Sequence, residues 1–180
     1  MDDIVRQAIA KWPRVPHCFG WLGLDARGRW YLRDAAAQAL GAFGSGVPGA
    51  RGELLRHDKL IDFIGRNYEA DEFGQWFFQN GPQRVYVELE CTPWVWRVHA
   101  DGQVLTHTGL PATVQGLWLD EAGRVYLQAD RGIGLVHSQD VVLVAAAIEQ
   151  GRWSPQSIMA AEVPARFGFV LRPERRSGAA

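Results

Sequence analysis

The chain has 180 residues, enough for one ordinary domain or two small lobes sharing a core, and its 47% hydrophobic content is that of a globular fold. Its 19 basic and 20 acidic residues leave a net charge of -1 and are mixed along most of the chain, so nothing draws it to nucleic acid or to an anionic lipid surface. Met1-Asp2-Asp3 lacks an apolar targeting core, and the longest apolar run, Val141 to Ile148, is too short to cross a bilayer; the expectation is a cytoplasmic protein with no membrane partner.

Residues 2 to 12 predict a short helix, because Asp2 or Asp3 can cap it and Ile4, Ala8, Ile9 and Trp12 recur on one face; Pro13 stops it. Phe19 to Leu24 and Arg29 to Leu32 are apolar runs around Asp25-Ala-Arg-Gly28, which reads as a hairpin. The Ala- and Gly-rich stretch from 35 to 52 reads as a flexible loop. A second helix is predicted over 57 to 68, with Leu60, Ile61, Ile64 and Tyr68 on one face.

Asp71-Glu-Phe-Gly74 then precedes Gln75 to Phe78, Asn80-Gly-Pro82 leads into Arg84 to Glu90, and Asp101-Gly102 separates Trp94 to Val98 from Gln103 to His107 in a two-residue turn. A meander through 75 to 107 follows from that order. Asp120-Glu-Ala-Gly123 joins Gly116 to Leu119 with Arg124 to Leu127. In each Asp-x-x-Gly turn the carboxylate can accept backbone N–H bonds and the glycine is free to take positive φ. Their spacing is irregular, so one turn solution is reused without a fixed-period repeat. Residues 138 to 150 predict a helix capped by Ser138, with a strand alternative over Val141 to Val144. Phe167 to Leu171 reads as a final strand stopped by Pro173, and Arg172 to Arg176 as a frayed basic tail.

The fold class is therefore α+β, mostly antiparallel β, built of hairpins into β-roll or meander lobes with two to three short helices. Three segments are distinguished: 1–54 with the first helix, hairpin and loop; 55–110 with a helix and meander; 111–180 with a hairpin, helix and final strand. They form one unit or two small lobes.

Cys18 and Cys91 are far apart and outside any C-x-x-C spacing, which implies two free thiols. His99 and His107 flank the Asp101-Gly102 turn, but neither a two-residue nor a three-residue loop brings both imidazoles to one ion. His17 and Cys18 are adjacent and in an extended segment point to opposite sides. No metal and no cofactor is expected. Nucleotide-binding, nucleophile-elbow, zinc-protease and EF-hand signatures are absent.

Two groups remain. Arg84, Tyr86, Glu88 and Glu90 alternate on one strand and share a face, with neighbours about 6.6 Å apart, a separation suited to paired acid and base. The same alternation describes a solvated outer face with Val85, Val87 and Leu89 inward. Trp94 and Trp96 share a strand face near Arg97 and Phe78, as in a groove for a planar ligand or a peptide. Large aromatics also fill thin cores, the role expected of Trp21, Trp30, Trp76 and Trp118. His57 opens the second helix between Arg56 and Asp58.

Leu55 to Thr108, with Leu60-Ile61, Phe63-Ile64, Gln75 to Phe78, Arg84 to Glu90 and Pro93-Trp94-Val95, resembles uncharacterised proteobacterial proteins grouped as domains of unknown function. The resemblance extends to Lys11-Trp-Pro13 and to Arg166-Phe-Gly-Phe-Val170. It implies two small lobes, a β-roll and an α+β roll, and supplies no catalytic residue.

The functional expectation is a non-catalytic module that binds an unknown small molecule or protein, with Trp94, Trp96, Arg84, Glu88, Glu90 and His57 as candidates. The rival is a small hydrolase or isomerase using Glu88 or Glu90 with His57 as acid and base. A homodimer pairing exposed β edges is a third reading.

Overall fold

Residues 1–13 and 15–175 are described in the computed structural model, and they divide into two α+β units. Of these residues, the first takes those in 1–25, 29–90 and 169–175; the second takes 26–28 and 91–168.

In chain order the first unit holds α1 (Asp3–Lys11), β1 (Cys18–Leu24), β2 (Trp30–Leu32), α2 (Ala35–Ala39), β3 (Glu53–Leu54), α3 (Asp58–Arg66), β4 (Tyr68–Ala70), β5 (Trp76–Asn80) and β6 (Gln83–Leu89). Its sheet runs β3-β2-β1-β6-β5-β4, antiparallel throughout except for the parallel pair β1–β6. Because β6 is central, Tyr86, Val87, Glu88 and Leu89 are all buried, so both of its faces are covered. One face packs against α3, with Phe63 edge-on to Phe78 at 5.4 Å. On the other, Phe19 stacks on Tyr86 at 4.4 Å, and Phe43 lies so close to β1 that a Cβ at Gly23 would stand 2.5 Å from its ring. The expectation of a solvated outer face for Tyr86 and Glu88 is thereby corrected.

The stretch expected as a flexible loop holds α2 and two fully buried side chains, Phe43 and Ala50. The Asp34 carboxylate caps α2 by accepting the Ala37 N–H at 2.8 Å. Arg33 ties the rest together. Its Nε donates to the Ala50 carbonyl at 2.8 Å, Nη1 to Glu88 and to the Gly20 carbonyl, and Nη2 to the carbonyls of Ala37 and Gly41. The second Glu88 oxygen accepts the Phe43 N–H at 2.9 Å. A buried ion pair is tolerable when every donor and lone pair is engaged in this way.

The second unit holds β7 (Trp94–Val98), β8 (Val104–Thr106), β9 (Pro111–Ala112), β10 (Val114–Leu119), β11 (Val125–Ala129), β12 (Gly132–Val136), α4 (Val141–Glu149), β13 (Pro155–Ser157), a 3-10 turn (Ala160–Glu162) and α5 (Val163–Phe167). Its sheet runs β13-β10-β11-β12-β7-β8-β9, with β10–β13 and β7–β12 parallel. The meander expected through 75 to 107 therefore breaks after β6. β6 pairs with β1, and β7 with β12 and β8.

The Asp-x-x-Gly turns share one construction. Asp25 accepts the Arg29 N–H at 2.9 Å and its guanidinium Nε at 2.8 Å, and Asp120 accepts the Arg124 N–H at 2.8 Å, its Nε at 2.6 Å and the Tyr126 hydroxyl at 2.8 Å. Asp71 accepts the Gln75 N–H at 2.9 Å and the Tyr86 hydroxyl at 3.1 Å. The fourth positions, Gly28, Gly74 and Gly123, have φ of 76, 75 and 74°. The Asp101-Gly102 turn follows the same three-residue logic and not the tighter form, since Val98 pairs with Val104 and the His99 N–H donates to Gln103.

Three further expectations are corrected. Asp140, not Ser138, precedes α4; its carboxylate is turned to Arg97 and the Val98 N–H. The closing strand expected over Phe167 to Leu171 does not form: Phe167 ends α5, whose C-cap Gly168 is left-handed at φ 66°. The basic tail is docked as far as Glu174: the Leu171 carbonyl accepts the Leu89 N–H, Pro173 is buried, and the Glu174 N–H donates to Gln75 at 2.7 Å. Arg176 lies outside the described residues.

Candidate functional site

The first unit contains two concavities on either side of α2. The larger, about 810 Å³, lies where the short α2 meets α3. Small residues on α2, Ala36 and Ala37, leave room, and Leu60, Phe63 and Ile64, spaced for one helical face on α3, form the opposite wall. Leu22, Leu32, Phe78 and Val85 supply the floor from the sheet. Trp21, Leu32 and Leu40 are 50%, 46% and 51% exposed here, so the cavity opens to solvent through apolar side chains. The ionisable groups at its edge are Asp34 and Glu53, together with Arg33, whose donors are committed to Glu88 and to carbonyls.

The second concavity, about 540 Å³, is polar. His17, Cys18 and Gly20 come from β1 and the residue before it, Gln38 and Gly41 from α2 and the residues after it, Glu88 from β6, and Arg172 and Arg175 from the C-terminal segment. Trp21 and Arg33 wall both cavities. The His17 imidazole is held below the usual histidine range, first by burial and then by the charges of Arg84 and Arg175.

The structure does not bring the six sequence candidates together. Trp94 and Trp96 are buried in the second unit, with rings 6.5 Å apart and indole N–H groups donating to the carbonyls of Arg131 and Leu127, each at 2.7 Å. Arg84, Glu88, Glu90 and His57 belong to the first unit. The Arg84 guanidinium lies over the Phe77 ring at 4.4 Å. Glu90 pairs with Arg51, and Glu88 with Arg33. His57 is exposed and caps α3 by accepting the Leu60 N–H at 3.2 Å. Of the six, Glu88 alone lines either of the two cavities.

The residues that sequence reasoning passed over are Trp21, assigned to a core, and the α2 segment, read as loop. A signal for the α2 helix did exist in Asp34 followed by Ala35-Ala-Ala, a cap ahead of strong helix formers. Among the described residues no three His, Cys, Asp or Glu side chains come together to hold a metal ion, and no helix is long and apolar enough to cross a membrane.

Residues 1–174 match the model of the DUF2944 family, described as "Protein of unknown function (DUF2946)". The chain belongs to that family. The resemblance to a domain-of-unknown-function group and the α+β fold class both hold. Among solved structures, this DUF2944 chain is similar to a DUF1285 family protein from Silicibacter pomeroyi, at 13% identity over 80% of this chain and 83% of that one, with a TM-score of 0.49. It is similar also to a DUF1285 family protein from Shewanella baltica, at 16% identity over 70% and 91% of the two chains, with a TM-score of 0.46. No curated protein matches it.

Proposed function

We propose that the chain is a non-catalytic ligand-binding module whose site is the apolar cavity between α2 and α3. The observation that carries this reading is the cavity itself. At about 810 Å³ it falls within the roughly 300–1,000 Å³ typical of small-molecule sites, and its walls are aliphatic and aromatic. Water in such a site is released when an apolar ligand enters, which favours binding at about 25 cal/mol per Å² of apolar surface covered.

The occupant is a compact, largely apolar molecule that is uncharged or cationic. Asp34 and Glu53 put negative charge at the edge, while Arg33 is neutralised by Glu88 and offers an incoming anion no free donor. Glu88 acts as structural support for this wall, since its two oxygens are held by Arg33 and the Phe43 N–H.

The test is a fluorescence titration with the uncharged probe N-phenyl-1-naphthylamine, comparing the native chain with Ala36→Trp. Ala36 is exposed on α2 and lines the cavity, so the larger side chain fills space without entering the core. Saturable binding that the substitution abolishes is expected. Equal binding by both proteins, or none by the native chain, overturns the proposal.

A further inference from the structure

We infer that the polar cavity on the other side of α2 is a second, oxyanion-binding site, which takes a molecule carrying a phosphate or carboxylate group between His17, Arg172 and Arg175. The inference is independent of the apolar cavity and stands on unpaired charge. Among the described residues neither Arg172 nor Arg175 has a carboxylate partner, although both line the cavity. The buried Arg33 and Glu88 in the cavity wall neutralise each other. Glu174 is then the single unpaired carboxylate among the residues that line the cavity, against two unpaired guanidiniums.

His17 supplies the second observation. Its Nδ1 is buried without a hydrogen-bond partner among the described residues. A buried polar atom left unmatched is costly, and a ligand oxygen or hydroxyl is the kind of partner that would satisfy it. The ring is set in place by Tyr86, edge-on at 6.0 Å. Guanidinium groups suit this role because their planar donors match the oxygens of phosphate and carboxylate in pairs.

The same geometry links binding to protons. The groups around His17 are Cys18 on β1, Arg84, Tyr86 and Glu88 on β6, and Arg172, Glu174 and Arg175 from the C-terminal segment. In the open cavity, burial and the Arg84 and Arg175 charges favour neutral imidazole. A bound anion offsets those charges, raises the His17 pKa and takes up a proton. Affinity therefore rises as the pH falls through the His17 titration.

The experiment follows the His17 imidazole signals by NMR across pH, in the full chain, with inorganic phosphate in one arm, citrate in a second and sodium chloride at matched ionic strength in a third. A saturable upward shift of the His17 pKa with phosphate or citrate, absent with chloride, is expected; whichever anion binds more tightly identifies the ligand group. Arg172→Gln combined with Arg175→Gln should weaken binding at least about tenfold, the loss of one charge-assisted hydrogen bond or more. Both side chains are exposed, so the variant should keep the native melting curve. No shift, an equal shift with chloride, or undiminished binding by the folded variant overturns the inference.

Discussion

Arg33 and Glu88, 55 residues apart in sequence, form an ion pair that is 1% and 7% exposed at its side chains and holds the entire segment from Ala37 to Ala50 against the sheet. Five guanidinium N–H groups and both carboxylate oxygens find partners there. The pair thus converts an Ala- and Gly-rich stretch with little apolar surface of its own into a wall shared by two cavities.

Removing one member leaves a buried charge unmatched. Arg33→Ala should lower stability to urea by about 3–5 kcal/mol, and Glu88→Ala by a similar amount. The double replacement Arg33→Met with Glu88→Leu should cost far less than the sum of the two, because no isolated charge remains. Additive losses in that cycle would show that the two side chains act separately.

Asp120 and Asp140 anchor the second unit, and each is held below the ordinary aspartate range. For Asp120, burial pushes the carboxyl up, but the Arg124 N–H, the Tyr126 hydroxyl and the Arg124 guanidinium outweigh it; for Asp140, burial is outweighed by Arg97 and the Val98 N–H. Groups whose folded pKa is depressed stabilise the fold above their unfolded pKa, and that contribution disappears as the pH falls through the folded value. The urea midpoint should therefore be level near neutrality and drop below about pH 4. Asp120→Asn and Asp140→Asn should each lower neutral-pH stability by about 1–3 kcal/mol and flatten the acid limb. An unchanged acid limb in both variants would contradict the assignment.

Tyr126 reports on the same cluster from the other side. Burial, the neighbouring Cys91 and the bond to Asp120 raise its hydroxyl far above the ordinary tyrosine range. Spectrophotometric titration should therefore find it un-ionised up to the alkaline unfolding transition. Tyr126→Phe should remove about 1 kcal/mol. A normal tyrosinate titration from the folded state would exclude the bond.

Trp21 separates ligand effects from core effects. It lines both cavities while half exposed, whereas Trp94 and Trp96 are buried with their N–H groups bonded. Trp21→Ala should weaken N-phenyl-1-naphthylamine binding about tenfold, roughly the loss of 50 Å² of apolar contact, with little change in melting temperature. Trp96→Phe should do the reverse, lowering stability and leaving the dissociation constant alone.

Helix α3 was legible in the sequence from its apolar stripe and α1 from the Pro13 that ends it, although Val5 and not Ile4 or Trp12 is the buried residue of α1; the apolar run of α4 left a strand over Val141 to Val144 open. The Asp-x-x-Gly hairpins were legible because the turn chemistry is local. Strand partners were not. The parallel pairing of Cys18 with Val85 and of Gly134 with Trp94 joins segments whose residues carry no mark of one another, so the break between β6 and β7 could not be read from alternation. The candidate site was hidden for a similar reason. The order of 35 to 52 is imposed by Arg33 and Glu88 from outside the segment, and Trp21 is half exposed where Trp30 and Trp118 are core. Glu88 carries a charge that alternation alone could not assign, and that charge is paired with Arg33 and the Phe43 N–H.

The most direct test of the ligand-binding account is a map of backbone amide shifts in the full chain on titration with N-phenyl-1-naphthylamine. Saturable changes centred on Leu22, Leu32, Ala36, Leu40, Phe63 and Phe78 are expected, with the amides of residues 91–168 unmoved. Changes centred on Trp94 and Trp96, or no saturable change anywhere, would contradict it.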